Sequence, residues 1–144
     1  MNLKRTTFAA LTLCLLGTGF IIAKGDESAA PADASLFTEE QVSAGEMAYR
    51  QSCAECHGIR LGGGMGPALN DDAFMRGWGD RSVLSLDTYT RTEMPLGVGG
   101  SLSEETYSQI MAFLLSNLGH EAGSQVYSPS MSGLDSILVD PQLQ

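Results

Sequence analysis

Cysteine and histidine are scarce in this chain. Its 144 residues hold three cysteines, Cys14, Cys53 and Cys56, and two histidines, His57 and His120. A zinc site built on the Cys53/Cys56 pair would want four ligands, and outside the Cys53–His57 segment Cys14 and His120 are the only other Cys or His. Lysine is absent after Lys24, and from residue 31 onward five arginines stand against fifteen acids, a net charge of −10. Phosphate repels such a chain, which makes nucleic acid and anionic membrane surfaces poor partners. Solubility or the steering of a basic partner would each account for the acidity. No convincing strand pattern and no internal repeat are present, so the βαβ surroundings of a thioredoxin-type dithiol are missing. The apolar run Phe8–Ala23 has 16 residues, short of the ~20 that a membrane-spanning helix needs.

That run has another reading. Lys4 and Arg5 precede it, Lys24–Ser28 is polar, and small residues follow at Ala29 and Ala30. Charged, then apolar, then small is the order of a secretory signal, and residues 1–30 are read as one. Ser28 and Ala30 suit the small positions before a cut. Ala32 and Ala34 match better but lie further from the run, and an uncleaved anchor is the alternative. Cys14 follows the bulky Leu13, which does not suit lipid modification. It is read as signal filler. Residues 31–37 are expected to be a flexible N-terminus, 38–120 one domain and 121–144 a tail, ordered only if it packs along that domain.

The dominant motif is Cys53-Ala54-Glu55-Cys56-His57. C-x-x-C followed directly by His is the spacing that attaches a c-type haem: two thiols form thioethers to the vinyl groups, and the neighbouring imidazole reaches the iron. Export agrees with this chemistry, which takes place outside the bacterial cytoplasm, in the periplasm. In that oxidising compartment two free thiols would tend to form a disulfide unless something consumed them.

Around the motif the sequence predicts helices. Thr38 and Gln41 form a capping box, with Glu39 and Glu40 in the first turn, and Val42, Gly45 and Tyr49 share one face. Gly45 inside a helix implies the close approach of another backbone. Gly58–Asn70 is a glycine-rich loop; without a Lys followed by Ser or Thr it is no phosphate loop, and it suits close packing over a flat cofactor. Asp80 or Ser82 caps a second helix that ends near Thr92, before Met94-Pro95. Ser101 or Ser103 caps a last helix, Glu104–Asn117, whose buried stripe is Tyr107, Ile110, Met111, Leu114, Leu115 and Leu118, with Phe113 at its margin. Gly119 stops it.

With His57 as the fifth iron ligand, the sixth decides between electron transfer and small-molecule chemistry. Met47 and Met111 read as core filler, Met65 and Met75 as loop residues, Met131 as part of the tail. Met94 follows a helix end, is fixed by Pro95 and lies far enough from His57 to fold back over the opposite haem face. His120 could ligate, but a lone histidine after a terminal helix is more often a surface residue.

Together, Cys53–His57, Gly66-Pro67-Ala68-Leu69, Arg91–Pro95 and Ala112–Leu115 resemble a class I c-type cytochrome over residues 36–120. The resemblance implies an all-α cytochrome c fold around one covalent haem c, with Cys53 and Cys56 as thioether sites and His57 and Met94 as axial ligands. It further implies that Pro67 accepts a hydrogen bond from the His57 ring, that Trp78, near Arg76, donates to a haem propionate, and that Gly45 and Tyr49 meet the last helix. Gly77–Ser82 and Met94–Glu105 look most like small periplasmic cytochromes that accept electrons from quinoprotein dehydrogenases. The implied function is a single-electron carrier without a substrate of its own, passing electrons to an oxidase or other acceptor. A haem subunit of a dehydrogenase or oxidase complex, or a haem protein with an open sixth site, is the alternative.

Overall fold

The computed structural model describes residues 35–143, so the signal and its cleavage positions lie outside the described residues. Five helices follow in order: α1 Glu39–Ser52, α2 Ala54–His57, α3 Asp72–Trp78, α4 Val83–Glu93 and α5 Glu104–Asn117, then a short 3-10 turn, Pro141–Leu143. The described residues contain no named strand, and an antiparallel bridge joins Ser82 to Leu138. The fold is all-α.

Local chemistry sets the helix starts. The Thr38 hydroxyl accepts from the Gln41 amide and the Gln41 side chain accepts from the Thr38 amide, closing the capping box. Ser82 caps α4 and Ser103 caps α5, each hydroxyl accepting an amide hydrogen bond three residues on. The alternatives Asp80 and Ser101 are thereby excluded. The helix α3 is not among the helices expected from the sequence: Asp71 accepts from the Phe74 amide at 2.7 Å and starts seven helical residues. It is too short to display an apolar period, and Met75 lies on it rather than in a loop.

Packing centres on α1 against α5. A Cβ on Gly45 would collide with the carbonyl of Gln109, so the two helices cross backbone to backbone where the sequence predicts close approach. Tyr49 stacks a tilted ring on Phe113, 5.2 Å between centroids, and its hydroxyl donates to the Gly58 carbonyl at 2.7 Å. Burial pushes that phenol up to about 12. Phe113 is therefore part of the core, whereas Met47, expected as core filler on α1, is 61% exposed. Met111 is fully buried, as expected.

Both ends of the described chain join the core. Leu36 and Phe37, in the segment expected to be flexible, are buried. The tail packs: Tyr127, Leu134 and Val139 join the same core, with Met131 against it. Gln41 holds it directly, accepting from the Tyr127 amide at 2.7 Å and donating to the Tyr127 carbonyl at 3.1 Å. His120 is not a free surface residue. Its Nε2 lies 3.1 Å from the Val139 carbonyl, and burial lowers its pKa although Val139, Leu138 and Asp140 oppose the shift.

Candidate functional site

The last turn of α1 delivers Cys53, whose amide donates to the Tyr49 carbonyl at 2.8 Å. One turn of helix, α2, then presents Cys56 and His57. Cys53, at the junction of α1 and α2, and Cys56, on α2, line the same cavity, where thioether bonds at two points of one ring could form. Burial, with Cys56 adding to it, pushes the Cys53 thiol up to about 11.

Beyond α2 the glycine-rich loop folds back on the motif. Gly63 donates to the His57 carbonyl at 2.8 Å and Gly66 to the Cys56 carbonyl at 2.9 Å. Gly66 lies flat against the imidazole, since a Cβ there would come within 2.9 Å of His57 Cε1. The next residue completes the arrangement: His57 Nδ1 is 2.8 Å from the Pro67 carbonyl. A carbonyl only accepts, so Nδ1 carries the proton and Nε2 keeps its lone pair for a metal.

Opposite stand α3, α4 and the segment after α4. Trp78 ends α3, between Phe74 at 6.4 Å and Tyr89 at 5.2 Å. The arginine over its ring is Arg81, 4.8 Å from the centroid, rather than the Arg76 paired with it in the sequence reading. Met94 caps the C-terminal end of α4 in an extended conformation and precedes a cis Pro95.

One cavity of about 650 Å³ joins these parts. Cys53, Cys56, His57, Pro67, Trp78 and Met94 all line it. So do Leu86, Ile110 and Leu114, which periodicity assigns simply to the core. The volume falls within the ~300–1,000 Å³ of cofactor sites, and apolar side chains dominate the walls. An imidazole with a free Nε2, a thioether and two thiols on an apolar cavity are a donor set that fits an iron porphyrin. Met65 also reaches the rim but is largely exposed, and His120 is engaged with the tail.

A polar cluster behind Met94 goes unnoticed in the sequence. Arg91 Nε donates to the buried Asp87 carboxylate at 2.7 Å, and its other nitrogens reach Ser108 at 3.0 Å and the Glu104 carbonyl at 3.4 Å. Tyr107 donates to the Met94 carbonyl at 2.6 Å. The i, i+4 spacing of Asp87 and Arg91 was the available signal for the first link; nothing in sequence marked the second.

An all-helical fold with Cys-x-x-Cys-His at the mouth of an apolar cavity defines the c-type cytochrome class. Residues 22–114 match the family model described as "Cytochrome C oxidase, cbb3-type, subunit III", and the chain belongs to that family. It carries covalently bound haem c with its iron, and its family's proteins are exported or membrane-associated. Among curated relatives, the thiosulfate dehydrogenase of Stutzerimonas stutzeri (strain A1501) is 31% identical over 83 residues, 53% of this chain and 27% of that protein. The cbb3-type cytochrome c oxidase subunit FixP of Rhizobium meliloti (strain 1021) is 36% identical over 86 residues, 52% of this chain and 29% of that protein. Cytochrome c55X of Pseudomonas aeruginosa is 41% identical over 56 residues, 38% of this chain and 46% of that protein. The chain thus spans less than half the length of each. No solved structure matches it. Among the described residues, no helix is long and apolar enough to cross a membrane.

Proposed function

We propose that Cys53 and Cys56 hold the haem through thioether bonds, that His57 Nε2 and the Met94 sulfur are its axial ligands, and that the chain is a periplasmic single-electron carrier rather than an enzyme. Bound haem supplies a one-electron couple at its iron. The protein's residues do the rest. Pro67 orients the imidazole by accepting from Nδ1, which also makes Nε2 a better donor. A thioether on the other side would raise the potential and deny the iron to small molecules. Apolar side chains of α4 and α5 line the cavity, and Trp78, which also lines it, would donate its indole N–H to a propionate. The observation that carries this reading is the 2.8 Å Nδ1 to Pro67 contact inside a cavity that Met94 also lines. Donors would be dehydrogenases, a quinoprotein among them, and acceptors an oxidase or another redox protein. A second reading, a haem subunit of a larger dehydrogenase or oxidase assembly, is favoured by the names of two relatives.

The test is the holoprotein and its Met94→Ala variant. The oxidised wild type should show the weak sulfur-to-iron band in the near red. Met94→Ala should abolish it with haem still attached, lower the potential and let the reduced iron bind carbon monoxide. A wild type that already binds carbon monoxide readily would refute Met94 ligation and favour an open site.

A further inference from the structure

The segment after α4, residues 94–100, is exposed beyond Pro95, although Gly99 packs against the Thr92 carbonyl at the end of α4. Leu96 is 85% and Val98 58% exposed, and its internal bond runs from the Val98 amide to the Pro95 carbonyl at 2.9 Å. Its two ends meet on one atom. The Tyr107 hydroxyl donates to the Met94 carbonyl at 2.6 Å and accepts from the Gly100 amide at 3.0 Å, so both of its hydrogen-bonding roles are used on this loop.

Tyr107 is well placed to hold something still. It is buried on α5, the helix locked against α1 at Gly45. The Arg91 guanidinium lies 5.5 Å from its ring centroid, and that guanidinium is pinned by Asp87, Ser108 and the Glu104 carbonyl. Asp87 is 1% exposed, so its pairing with Arg91 occurs away from water, where such a contact is stronger and its loss more costly.

We propose that Tyr107 is the positioning residue for Met94, its hydroxyl clamping both ends of the 94–100 loop so that the methionine sulfur stays at the cavity. This role rests on the reading of Met94 as the sixth ligand. A competing ligand can reach the iron only when the loop lifts, and lifting breaks both bonds to the hydroxyl. Apparent affinity for that competitor scales with the lifted fraction. Removing two hydrogen bonds should raise this fraction by about tenfold.

The experiment titrates the oxidised, full-length holoprotein with imidazole, read by absorbance, for wild type, Tyr107→Phe, Arg91→Lys and Met94→Ala. Amide exchange at Gly100 is followed in parallel. Tyr107→Phe should bind imidazole about tenfold more tightly than wild type and exchange the Gly100 amide faster, with haem attachment unchanged. Arg91→Lys keeps the charge but loses the fork, and should move both in the same direction by a smaller factor. If Met94→Ala binds imidazole far more tightly than wild type but Tyr107→Phe stays within about twofold, the clamp is overturned and ligation stands. Equal affinity in wild type and Met94→Ala overturns ligation, and the positioning role with it. Should Tyr107→Phe not accumulate as holoprotein, Arg91→Lys carries the test, and unchanged affinity and Gly100 exchange in it overturn the clamp.

Discussion

The two sides of α5 are built on different principles. Toward α1 and the tail, protein meets protein: a glycine lets two backbones cross, aromatic rings pack, and Gln41 grips the tail by its backbone. Toward α3, α4 and the glycine-rich loop, Ile110 and Leu114 of the same helix face a cavity of about 650 Å³. A cavity of that size and apolarity matches a flat cofactor rather than another helix as the packing partner of these side chains. The first side is packed by protein alone, whereas the second, on the proposed reading, is completed by the haem.

Three changes would break or sharpen that contrast. The largest effect should come from Cys53→Ser together with Cys56→Ser, since a hydroxyl cannot form the thioether. Covalent holoprotein should nearly vanish, and with it the order of the cavity side. Mass spectrometry reports the attachment, and normal yields of covalently bound haem would refute the assignment of these cysteines.

On the other side, Gly45→Ala sets two effects against each other. Helix propensity favours alanine by about 1 kcal/mol. The new methyl, however, would meet the Gln109 carbonyl and Phe113 Cβ, and overpacking of this kind costs about 1–3 kcal/mol. A net loss of stability in denaturant unfolding of the holoprotein is expected, with haem still attached. A more stable variant would show that α1 and α5 do not cross so closely.

The smallest effect concerns how the tail docks. Burial lowers the pKa of His120 from 6.5, so the unfolded chain takes up a proton there before the folded one does. The stability tied to a neutral His120 is thus complete above about pH 6.5 and is lost as pH falls below it. Between about pH 7 and pH 5.5 the melting temperature should drop, and His120→Gln should flatten the slope. Parallel slopes would mean that other groups carry the pH dependence.

Much of this was legible along the chain because it is local. Capping at Thr38, the glycine at 45, the stripe on α5 and the Cys53–His57 spacing each depend on residues within a few positions of one another. The helix α3 was not legible, because seven residues show no period and its cap is a single aspartate. Nor were the buried Leu36 and Phe37, the exposed Met47 or the packed tail. Each depends on what lies opposite in space, which composition does not encode.

By itself, the sequence determined the helical class, the haem-attachment motif and a short set of candidate ligands, since covalent attachment and capping are read from neighbouring residues. Only the tertiary structure decided that six candidates share one cavity, that Nδ1 of His57 is the protonated nitrogen, and that Tyr107 reaches the Met94 carbonyl. Those facts join residues 10 to 41 positions apart, and the register of one helix or loop against another follows from packing the whole core at once.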